Sequence, residues 1–117
     1  MGEKKVLIYD ELMNSDDHWR DLFLSSLKSR CKADIKFTKS FSDFINIEDD
    51  FDILIYLKRE TIESLLRQTI YGFSLHIDAR LIILGHEVLR EEIPSGFIGV
   101  SQKDFSSEEE LINAILG

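Results

Sequence analysis

Four short apolar runs divide this 117-residue chain: Val6–Tyr9, Ile53–Leu57, Leu81–Leu84 and Phe97–Ser101. Each is continuous or nearly so, the pattern of strands buried on both faces of a parallel sheet. Parallel neighbours cannot be joined by a tight hairpin; they need crossovers long enough to hold a helix. A fifth candidate, Ala33–Thr38, alternates with period two and suits an edge strand with one wet face.

Helical segments fill the spaces between. Asn14 or Ser15 caps the first, with Asp16 and Asp17 at its positive end. Trp19, Leu22, Phe23 and Leu27 then form an apolar stripe through to about Arg30. A short helix is expected within Phe41–Asp50, carrying Phe44, Ile45 and Ile47. A longer one starts near Thr61 and buries Ile62, Leu65, Leu66, Ile70 and Phe73. Ser106-Ser107-Glu108-Glu109 reads as a capping box, a serine with a glutamate three residues on, before a last helix burying Leu111, Ile112 and Ile115. Strands alternating with helices predict one α/β domain over residues 1–117, doubly wound through right-handed crossovers.

Composition narrows the function. Lys and Arg total 14 against 22 Asp and Glu, a formal charge of −8. Nucleic-acid affinity rests on cations that neutralise phosphates, so this surface excludes DNA or RNA as a partner. No apolar run approaches a membrane-spanning length, and the first residues lack a signal-peptide pattern. Cys31 is the single cysteine, which excludes an internal disulfide and fits a reducing cytoplasm. His18, His76 and His86 sit on separate segments without ligand spacing, so no zinc site is expected.

The chemistry gathers at the strand ends. In an open parallel sheet these lie on one edge, and ligands bind in the crevice there. The first run finishes on Asp10 and Glu11, and Lys103 follows the last run. One fold therefore brings a carboxylate pair and an ammonium to one edge, the residue types of phosphoryl or metal chemistry. The carboxylate that would complete the set, at the end of the third strand, is missing.

On these residues the chain resembles the receiver domain of bacterial two-component response regulators, over nearly its whole length. Val-Leu-Ile-Tyr-Asp-Glu (6–11) is similar to the receiver's first strand and acidic pair. Phe-Asp-Ile-Leu-Ile-Tyr-Leu (51–57) is similar to the third strand, which in that family ends on the phosphoacceptor aspartate. Arg80–Gly85 resembles the fourth strand with its switch position, and Gly96–Phe105 the fifth strand and its lysine. The resemblance implies a flavodoxin-like five-stranded sheet of order 2-1-3-4-5. The connection His86–Ser95, limited by Pro94, leaves its fourth helix shortened to about two turns.

The departures from the family pattern bear on function. Leu57 stands at the phosphoacceptor position, flanked by Tyr56 and Lys58, and offers no oxygen to a phosphoryl group or Mg²⁺. Gly85 replaces the switch hydroxyl, Val100 the switch aromatic, and Asp104 the proline after the lysine. The resemblance thus implies a pseudo-receiver with a degenerate site of Asp10, Glu11, Leu57, Gly85 and Lys103. No catalytic residue and no cofactor are expected. Mg²⁺ prefers an octahedral oxygen shell usually shared with phosphate, so Asp10 and Glu11 alone would hold it weakly at best. Lys103 is expected to pair directly with Asp10, and His86 to project near the edge of the site.

The expected function is a cytoplasmic, non-phosphorylatable signalling module that acts by protein–protein contact. Its partner would be a sensor kinase, another receiver or an output domain. The alternative is a small nucleotide- or anion-binding enzyme on the same sheet, using Asp10 and Glu11. That class calls for a Gly-rich phosphate loop after the first strand, where Glu11-Leu12-Met13-Asn14 stands instead.

Overall fold

The structure, a computed structural model, describes residues 5–11, 18–30, 34–38, 51–59, 79–93 and 96–116. Five strands make one sheet: β1 (Lys5–Asp10), β2 (Asp34–Thr38), β3 (Ile53–Leu57), β4 (Arg80–Gly85) and β5 (Ile98–Ser101). Every pairing is parallel and the order is β2-β1-β3-β4-β5, a flavodoxin-like α/β fold. β2 pairs with β1 alone, as its alternating pattern required of an edge strand.

Alternation along the strands sorts the core into two layers. Val6, Ile8, Ile53, Ile55, Leu57, Ile82, Leu84 and Val100 face one side. There they meet α1 (His18–Arg30) through Phe23, Leu24 and Leu27, and α2 (Glu108–Leu116) through Leu111, Ile112 and Ile115. Leu7, Leu54, Tyr56, Leu81 and Ile83 face the other side with Phe51 and Phe97, and Val88 and Ile93 pack onto them. The helices expected within Phe41–Asp50 and from Thr61, and the Asn14 or Ser15 cap, lie outside the described residues.

α1 corrects the sequence reading in phase, whereas α2 buries Leu111, Ile112 and Ile115 as expected. Leu22 is 54 % exposed, whereas Leu24 is 8 % exposed. The inward stripe of α1 therefore runs through positions 20, 23, 24 and 27, spaced three and four apart as one helical face demands, with Trp19 partly buried against the same core as expected. At α2 the capping box is shifted by one residue. Ser107 Oγ accepts the Glu110 N–H at 3.3 Å, and the Glu110 carboxylate accepts the Ser106 N–H at 3.2 Å. The helix starts at Glu108, and the bond from the Glu110 N–H makes Ser107 its cap.

Between β4 and β5, where a helix of about two turns was expected, the described residues form one 3-10 turn, Arg90–Glu92. The connection stays close to the sheet because Gly99 has no side chain. A Cβ there would run into the Ile93 side chain, which lies across β5.

Candidate functional site

Register places the sequence-selected residues along one edge. Asp10 is the neighbour of Leu57, Leu57 of Leu84, and Gly85 of Ser101. Glu11 continues past β1 and donates its backbone N–H to Leu57 O at 3.1 Å. Lys103 follows β5 in a 3-10 turn, Gln102–Asp104. Asp10, Glu11, Leu57, Gly85 and Lys103 thus share the carboxyl edge, but the expected ion pair among them does not form.

Asp10 bonds to Arg20 instead. The Asp10 side chain is 0 % exposed, and Arg20 Nε donates to its Oδ2 at 3.0 Å while Nη2 donates to the same oxygen. Nη1 reaches Asp21 Oδ1 at 2.7 Å. The hydrogen bond to Asp10 is the main influence raising the Arg20 pKa above the ordinary arginine value, and burial opposes it. The physical reason is position: α1 lies over the face to which Asp10 points, and residue 20 belongs to its buried stripe. A carboxylate removed from water is tolerated when paired and hydrogen-bonded.

Lys103 turns outward. Its Nζ stands 3.1 Å from Glu87 Oε2, with both side chains close to half exposed. Its N–H donates to His86 O at 3.1 Å, and His86 Nδ1 lies 3.0 Å from Gln102 Oε1. Ser101 Oγ accepts the Val88 N–H at 2.8 Å. The segments after β4 and β5 are in this way tied to each other, with His86 exposed at the edge as expected.

Glu11 is held on the other face of the sheet. Its Oε1 accepts the Arg59 N–H at 3.3 Å, and its charge acts on the nearby Tyr56 hydroxyl. Burial first, and the Glu11 charge second, push the Tyr56 pKa far above the ordinary tyrosine value. Tyr9 meets Tyr56 edge to face, ring centroids 4.9 Å apart, and its own pKa rises for the same two causes.

Leu57, the last residue of β3, is fully buried. The next residue, Lys58, is only 6 % exposed and donates its N–H to Leu84 O at 2.8 Å. Its stem lies over Gly85, where an added Cβ would stand 2.8 Å from Lys58 Cγ and 3.0 Å from Cε. A residue with a side chain there would collide with Lys58.

Among the described residues no group of three or more His, Cys, Asp or Glu is placed to hold a metal ion. Asp10 and Glu11 are adjacent in sequence, yet they point to opposite faces of the sheet as strand geometry requires. Mg²⁺ would have to compete with a guanidinium for the first and with a backbone amide for the second. Cys31 and His76 lie outside the described residues. No helix among those described is long and apolar enough to cross a membrane.

Sequence reasoning missed Arg20 and the packing of Lys58 on Gly85. The signal for Arg20 was present: shifting the stripe of α1 by one residue puts an arginine in line with Phe23, Leu24 and Leu27. Compared with known proteins, the chain matches no protein-family model and no curated sequence.

Proposed function

We propose that this chain is a non-phosphorylatable, receiver-like signalling module that acts by protein–protein contact in bacterial two-component-type signal transduction in the cytoplasm. The observation that carries the reading is the state of the carboxyl edge. Aspartyl-phosphate chemistry needs a carboxylate acceptor beside a metal-binding acid pair and a free lysine. Here the acceptor position is Leu57, Asp10 is bonded to Arg20, and Lys103 pairs with Glu87. Each of the three elements is diverted while the sheet that would display them is intact. Input then comes from binding or from contacts between domains, and the partner is a sensor kinase, a receiver or an output domain.

The same geometry counts against an enzyme using Asp10 and Glu11, because the two carboxylates do not converge. The test is incubation with Mg²⁺ and acetyl phosphate, read by intact mass and by the amide spectrum. The wild-type chain should gain no phosphoryl group. Leu57→Asp supplies an acceptor but should not restore switching, since Gly85, Val100 and the Arg20-bound Asp10 remain. Strong acetyl-phosphate-driven switching in that single variant would defeat the proposal.

A further inference from the structure

The crevice at the ends of β3 and β4 contains part of the chain itself. A lysine at a strand end ordinarily lays its stem along the surface and carries its ammonium to water. Lys58 instead is 6 % exposed and spans Gly85 within contact distance from Cγ to Cε. Its backbone is fixed from both sides, by Lys58 N–H to Leu84 O at 2.8 Å and by Arg59 N–H to Glu11 Oε1 at 3.3 Å. The floor of the crevice is the one residue type that leaves room for a chain of methylenes. Its rim carries the Glu11 carboxylate beside the backbone of residue 59.

From this geometry we infer that the crevice is a binding site for a primary aminoalkyl cation, occupied in the native chain by the Lys58 side chain. Bare glycine backbone and the buried ends of β3 and β4 give van der Waals contact to the methylenes. The Glu11 carboxylate at the rim makes the edge favourable for an ammonium and unfavourable for phosphate. The inference rests on reading the crevice as silent toward phosphoryl groups, and it names what the crevice accepts in their place.

Removing the occupant tests it. Lys58→Ala should lower Tm and leave a slot over Gly85. Adding n-propylammonium or n-butylammonium chloride should raise that Tm saturably, as binding to the folded state alone does. Methylammonium, n-butanol and matched sodium chloride should do much less. Wild-type protein should not respond, and Lys58→Ala with Gly85→Ala should lose the response because the new methyl refills the slot. Should Lys58→Ala be unfolded, recovery of its far-UV circular dichroism on adding propylammonium is the equivalent reading. The inference is overturned if no alkylammonium stabilises or refolds Lys58→Ala, if butanol does as well, or if wild type responds equally. Beryllofluoride added with Mg²⁺ to wild-type protein reports on the silent crevice separately, so either claim fails without the other.

Discussion

Arg20→Met isolates the contact that most distinguishes this carboxyl edge. Methionine keeps an unbranched, helix-compatible side chain on the buried face of α1, so the change removes charge and hydrogen bonds more than volume. It takes two donors from Asp10, whose side chain is 0 % exposed, while Arg20 itself is 17 % exposed. Removing one partner of a buried ion pair costs up to about 3–5 kcal/mol, because the remaining charge loses its main compensation. Domains of this size are stable by roughly 5–15 kcal/mol, so the variant should fold but lose a large share of its stability. The loss in Tm should be on the order of 10–20 °C. Urea unfolding followed by circular dichroism reads this as a lower midpoint at unchanged slope. Adding Asp10→Leu to Arg20→Met should recover most of the loss, since replacing both partners by apolar groups is often neutral. A single variant within about 0.5 kcal/mol of wild type, the range of ordinary surface changes, would refute the buried pair.

Three further outcomes are expected. Leu24→Ala should cost about 2–5 kcal/mol as a core truncation, while Leu22→Ala should stay within about 0.5 kcal/mol; reversed values in urea titrations would contradict the phase of α1. Lys103→Ala should change stability by less than about 1 kcal/mol, since its pair with Glu87 is exposed, and a larger loss would mean that the lysine is bonded elsewhere. Tyr56 has a folded-state pKa raised above the ordinary 10.0, so its contribution is complete below pH 10 and is lost as pH rises beyond it. Alkaline unfolding should begin there and be less steep in Tyr56→Phe. Tyrosinate absorbance appearing in full at pH 10 with native circular dichroism would contradict the burial of that hydroxyl.

The sheet was legible because its signals are local and redundant. Ile53–Leu57 and Leu81–Leu84 are too short for helices and too apolar for an exposed face, and the alternation in Ala33–Thr38 marked the edge strand. Helix phase was harder. Leu22 and Leu24 are equally apolar, and only packing against the sheet decides which one turns inward. The same ambiguity concealed Arg20, because a cation on an apolar face looks like an interruption until the acid beneath it is known. Pairing Asp10 with Lys103 followed from the charges alone, an ammonium and an acid pair brought to one sheet edge with no third carboxylate. It fails because α1 brings a nearer cation, while the 3-10 turn after β5 points Lys103 toward Glu87. The approach of Lys58 to Gly85 joins the residue after β3 to the end of β4, and nothing in either segment announces it.

Amide NMR spectra recorded during addition of Mg²⁺ and then beryllofluoride, a mimic of the aspartyl phosphoryl group, test the silent carboxyl edge most directly. The expected result is no saturable shift at Asp10, Glu11, Gly85 or Lys103 with either addition. Saturable shifts centred on those residues would show that the edge still binds the metal or the anion, and would contradict a receiver-like module without phosphoryl chemistry.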